Sequence, residues 1–79
     1  MRLDKYLKVS RLIKRRTIAN EACDHQRVLV NGKPVRASYA VKLGDTIEIQ
    51  LGLHVTRVKV LRITEHAAKD EATALYREI

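Results

Sequence analysis

Residues 1–35 read MRLDKYLKVSRLIKRRTIANEACDHQRVLVNGKPV, and the hydrophobic period changes inside them. Leu3, Tyr6 and Leu7 recur at the i, i+3, i+4 spacing of one helix face, which predicts a short helix over residues 3–9. Ser10 suits the break that follows. Ile18, Ala19, Ala22 and Cys23 line one side of a second predicted helix, from Lys14 or Arg15 to about Asp24. Ala19 and Ala22 are small enough to let two helices approach closely. The pattern then shortens. In Val28-Leu29-Val30-Asn31-Gly32-Lys33-Pro34-Val35, Asn-Gly sits between short apolar runs, the strongest local hairpin signal, because both turn positions tolerate positive φ. Pro34 donates no ladder hydrogen bond, so its strand is expected at an edge or very short.

Val41 to Asp45 reads as a turn into a strand, Thr46 to Gln50, and Gly52 marks another turn. Val55 to Ile63 reads as a strand with Val58, Val60 and Ile63 inward. Lys69 to Ile79 reads as a helix, with Ala72, Leu75, Tyr76 and Ile79 on one stripe that forms core or an end cap. The order helix, helix, hairpin, strands, terminal helix is that of an α+β fold. One domain is expected over residues 1–79, with a core motif at about 2–50 and an extra strand and terminal helix at about 54–79.

The chain is 46% hydrophobic and 32% charged, too apolar for a basic disordered tail. Cys23 is alone, so no disulfide forms within the chain; with no signal-peptide pattern, a reducing, cytoplasmic setting is expected. No apolar run exceeds three residues, too short for a membrane span. His25, His54 and His66 lack ligand-spaced partners, and no Ser-His-Asp order, Gly-rich phosphate loop or carboxylate pair is evident. Neither catalysis, a metal nor a cofactor is expected. Cys23, on an apolar stripe, reads as core.

Charge is concentrated at one end. Arg2, Lys5, Lys8, Arg11, Lys14, Arg15 and Arg16 oppose only Asp4 in the first sixteen residues, which therefore hold +6 of the net +7. This balance points to a polyanion, and nucleic acid is the most abundant soluble one. Arg15 and Arg16 fall in the first turn of the second helix, where the macrodipole disfavours cations; a bound phosphate would reverse that cost. The only aromatics are Tyr6, Tyr39 and Tyr76, so recognition is expected to rest on phosphate charge and shape more than on base stacking. Asp4 is expected to start the first helix or to position Lys5, Lys8 or Arg16. Lys33 and Arg36, beside the hairpin turn, either extend the basic surface or are simply solvated. Asn31 and Gly32 read as turn chemistry alone, and Tyr39 fits either packing or stacking.

From Arg2 to about Ile49, RLDKYLKVSRLIKRR…ANEACDHQRVLVNGKPVRASYAVKLGDTIEI resembles the RNA-binding domain first seen in small-subunit ribosomal protein S4. Its most specific parts are Arg2-Leu3-Asp4-Lys5, Arg16 at the second helix start, Val30-Asn31-Gly32 and Gly44-Asp45. The resemblance implies the αL motif, two helices packed on a small bent antiparallel sheet, and marks Arg2 and Arg16 as motif positions. The uninterrupted VSRLIKRRT and the Ala-rich end EHAAKDEATALYREI are similar to the family of RqcP and the fifteen-kilodalton heat-shock protein. That implies association with the large ribosomal subunit in quality control of stalled nascent chains. Contacts with 23S rRNA and peptidyl-tRNA are implied, as is a partner that tails or rescues the nascent chain. A monomer is expected.

Gln26 stands where that family usually has Gly, and positive φ there would cost roughly 1 kcal/mol. Leu43 replaces a common Pro. On the ribosomal reading, Arg16→Ala is expected to weaken ribosome association while leaving the melting temperature nearly unchanged. Two other readings are an accessory module of an RNA-modifying enzyme, for which the chain is short, and an adaptor using the C-terminal helix. Deleting residues 68–79 is expected to separate the adaptor from the RNA binder.

Overall fold

A computed structural model describes all residues from Met1 to Ile79. The first helix, α1, spans Leu3–Val9 and buries Leu3, Tyr6 and Leu7 fully, as their spacing predicts. The N–H groups of its first three residues find acceptors: Leu3 donates to the Tyr39 carbonyl at 2.8 Å, Asp4 to the Ala37 carbonyl at 3.1 Å, and Lys5 to the Asp4 carboxylate at 2.8 Å. The loop at 37–40 is thereby fastened over the helix start, where Arg2 also bridges Ala40. Ser10 ends the helix, and Arg11 turns the chain at φ 62°, a conformation that costs a non-glycine residue roughly 1 kcal/mol.

The second helix, α2, spans Arg16–Asp24 and packs Ala19, Ala22 and Cys23 inward. Ile18 does not share that face; it is 43% exposed, because a helix this short presents only its 19/22/23 edge to α1 and the sheet. Gln26 adopts φ 58° and donates to the Cys23 carbonyl, while Arg27 donates to that of Ala22, the paired bonds of a Schellman ending. Positive φ is therefore required at the family's glycine position, and Gln bears its cost.

Strands β1 (Val28–Val30), β2 (Lys33–Pro34), β3 (Thr46–Leu51), β4 (His54–Val60) and β5 (Tyr76–Glu78) form one antiparallel sheet in the order β2-β1-β3-β4-β5. Pro34 sits on the edge strand, as its missing N–H demands. Val28, Val30, Ile47, Ile49, Val58 and Val60 alternate inward and meet the buried faces of α1 and α2.

Asn31, at φ 52° in the hairpin turn, does more than turn the chain. Its side-chain oxygen accepts from the Thr46 N–H at 3.0 Å and its amide donates to Asp45 at 3.1 Å, tying the β1–β2 turn to the start of β3.

The C-terminal segment departs from the expected helix. Only Lys69–Ala72 is helical (α3), and Tyr76–Glu78 instead pair with β4. The apolar spacing fits a helix, but β4 offers an open row of backbone donors and acceptors that the last residues can satisfy. Leu75 is buried, and its carbonyl accepts the Tyr6 hydroxyl at 2.7 Å. Ile79 is 63% exposed, and Ile63 lies half-buried beyond the end of β4. Removing residues 68–79 would therefore strip an edge strand and a core leucine, so that truncation tests folding before it tests any partner.

Candidate nucleic-acid interface

Asp4 organises the basic end. Its carboxylate is almost wholly buried, yet it receives Arg2 Nε at 3.2 Å and Nη2 at 3.3 Å, Arg16 Nε at 3.3 Å and Nη2 at 3.4 Å, and Asn20 Nδ2 at 3.4 Å. Burial pushes the Asp4 pKa up, but the hydrogen bonds from Arg2, Arg16 and Asn20 and the Arg16 charge outweigh it and hold the carboxyl below its ordinary value. Both arginine side chains remain about half exposed. Asp4 thus anchors one side of two guanidinium groups and leaves them open to solvent. Of its expected partners, Arg16 bonds to it through the side chain; Lys5 meets Asp4 through its backbone N–H, and Lys8 is not bonded to it.

The arrangement also accounts in part for Arg16 at a positive helix terminus, since Asp4 offsets its charge. It makes Arg16 a structural residue as well: removing it would leave a buried carboxylate with one cation fewer, a loss of about 1 kcal/mol. Arg15 occupies the N-cap position with no side-chain cap, and the N–H groups of Arg16, Thr17 and Ile18 make no hydrogen bond within the protein. That terminus is open, whereas the start of α1 is closed.

Lys5, Lys8, Arg11, Lys14 and Arg16 line one groove enclosing about 880 Å³. Arg2 joins them only through the shared Asp4, and Arg15 stands exposed at the α2 start. Lys33 on β2 and Arg36 in the following loop are exposed and do not line the groove. The far wall comes from residues that composition and spacing did not single out as site residues: Glu65, His66, Lys69 and Tyr76. The Lys5 ammonium and the Glu65 carboxylate form an ion pair across it, which lowers the Glu65 pKa.

Cys23 is buried, and that burial, reinforced by the charges of Asp4 and Asp24, raises its thiol pKa to about 11. It is a core side chain held protonated, not an activated nucleophile. No helix is long and apolar enough to cross a membrane. What the groove offers is a set of cations gathered along one surface, suited to an extended polyanion.

Comparison with known proteins agrees with this geometry. The S4 domain profile matches residues 1–47. A protein of Halalkalibacterium halodurans named RQC P-site tRNA stabilizing factor is 49% identical over 76 residues, covering 96% of this chain and 86% of that protein. Heat shock protein 15 of Escherichia coli is 35% identical over 79 residues, 99% of this chain and 59% of its own. Heat shock protein 15 of Vibrio cholerae, solved as a trimer, superposes with a TM-score of 0.93 at 30% identity, over 100% of this chain and 81% of that one. The chain belongs to the S4-domain family, in the group that holds the RQC P-site tRNA stabilizing factors and heat shock protein 15.

Proposed function

We propose that this S4-domain protein is a non-enzymatic RNA binder that sits on the large ribosomal subunit and steadies the P-site tRNA of a stalled complex. The observation that supports it best is the gathering of five basic side chains of the N-terminal segment, with Lys69 opposite, into one groove that includes Arg16 of the Asp4–Arg2–Arg16 cluster. Lys8, Arg11 and Lys14 engage phosphates directly. Arg2 and Arg16, held by Asp4, present guanidinium edges in fixed orientations, and Arg15 meets a phosphate at the open start of α2. Lys33 and Arg36 add weaker contacts outside the groove. The RNAs are 23S rRNA and the tRNA beside it, and the protein partner is a nascent-chain tailing or rescue factor in the cytoplasm. The name of the Halalkalibacterium halodurans relative supports the tRNA assignment.

Co-sedimentation with large subunits tests this reading. Combined Lys8→Ala, Arg11→Ala and Lys14→Ala should abolish association with little change in melting temperature, since these side chains are not bonded in the fold. With about five phosphates engaged, log K should fall against log salt with a slope of roughly −3.5 to −4.5. A slope near −1, or a triple variant that still co-sediments, overturns it. We read the acting form as a monomer; a free protein with three times the chain mass, the state of the Vibrio cholerae relative, would correct that.

A further inference from the structure

The S4 match ends at residue 47, and the groove does not. Its far wall is made by the irregular stretch after β4, by α3 and by the first residue of β5. Tyr6 is fully buried and Tyr39 is bonded to Asp45, so Tyr76 is the only tyrosine that lines the groove with the cations, with the smaller ring of His66 on the same wall. Its backbone is fixed by pairing with Val60, and its ring packs partly against the core. Little entropy is left to lose when something stacks on it. Lys69 adds a cation from the same wall. The Lys5–Glu65 contact shows that the walls approach closely enough for one anionic group to touch both. The enclosed volume, about 880 Å³, is ample for a nucleotide.

Resting on the RNA reading above, we infer that this groove takes an unpaired nucleotide, its phosphates held by Lys8, Arg11, Lys14 and Lys69 and its base stacked on the ring of Tyr76. A fixed aromatic ring bordered by cations is the chemistry that receives an unstacked base without reading its edges. A base inside a duplex has no free face to offer. The basic groove of the αL motif binds backbone, and the C-terminal wall makes it selective for a place where the helix is interrupted.

The test uses the full chain at low salt and fluorescence anisotropy. The probes are a short single-stranded RNA and the same strand with its bases removed, which keeps every phosphate. The abasic strand should bind about tenfold more weakly. Tyr76→Leu should lose about tenfold on the intact strand and nothing on the abasic one, while Tyr76→Phe should match the unaltered protein. Equal affinity for both strands, or no binding of the intact strand, overturns the inference. If Tyr76→Leu does not fold, the two probes on the unaltered protein still decide. The triple variant at Lys8, Arg11 and Lys14, measured on large subunits, separates the two readings. Should it lose subunit binding while intact and abasic strands bind alike, only the stacked nucleotide falls.

Discussion

Asp4 sits among charges and Asp45 among neutral donors, although both carboxylates are buried in the same small protein, at 2% and 7% exposure. Asp4 faces two arginines. Asp45 accepts the Tyr39 hydroxyl at 2.9 Å, the Lys42 N–H at 2.9 Å and the Asn31 amide at 3.1 Å. Burial raises the Asp45 pKa, and these three hydrogen bonds with the Lys42 charge more than reverse it, so it too ends below its ordinary value. The outcome for the proton is the same, but the outcome for the surface is not. Asp45 uses up its donors inside the fold, locking hairpin, loop and β3 together. Asp4 holds donors that still have solvent-facing sides, so its neutralisation leaves a usable cationic patch.

If that division is right, Asp45→Ala has the largest effect on stability. It leaves three donors without their acceptor, a loss of roughly 2–3 kcal/mol. For a chain of this size the melting temperature should drop by roughly 10–20 °C. The folded fraction should bind large subunits as before. Asp4→Asn should cost less, about 1–2 kcal/mol, because both guanidinium groups can turn to water. It should nevertheless weaken subunit association despite adding one unit of positive charge, since orientation is lost. Tighter binding by that variant would reduce Asp4 to a helix-starting residue and erase the contrast.

Acid tests the feature the two carboxylates share. Each has a folded pKa below the 3.8 of a free aspartate. Their stabilisation is therefore fully present above the unfolded value and is lost as pH falls through the folded one. The melting temperature should be nearly flat from neutrality to about pH 5 and fall steeply below about pH 4. Asp45→Asn should flatten part of that fall. An unchanged acid limb would show that Asp45 titrates alike in folded and unfolded chains.

The sequence made some of this visible and hid the rest for physical reasons. Leu3, Tyr6 and Leu7 recur within one helix turn of each other, so α1 could be placed from spacing alone. Counting charge was enough to find the basic end. Asn31 announced a turn, but its bonds to Asp45 and Thr46 cross fourteen and fifteen residues, and no local pattern encodes them. The stretch from Leu75 to Ile79 has helical spacing, yet the free edge of β4 decides its conformation, and that edge exists only once the sheet has formed. The second wall of the groove was hidden in the same way: Lys5 and Glu65 stand sixty residues apart in the chain and touch in the fold.

Glu65, by contrast, is a carboxylate that is mostly exposed. Its pKa is lowered first by the hydrogen bond from Lys5 and then by the Lys5 charge, which outweigh a smaller opposing effect of burial, and its side chain is 66% exposed. An exposed pair of this kind contributes little to folding. Its position matters more than its strength, because it is the only acid lining a groove of cations and it occupies Lys5 where a phosphate would sit. Glu65→Gln should therefore leave the melting temperature unchanged and tighten RNA binding about twofold at low salt. The gain should disappear as added salt screens the groove, since the Debye length falls to about 3 Å at 1 M. A gain that persists at high salt would mean that Glu65 blocks the groove by its bulk and not by its charge. Weaker binding by the variant would mean that Glu65 holds Lys5 in place for RNA, the part Asp4 plays for Arg16.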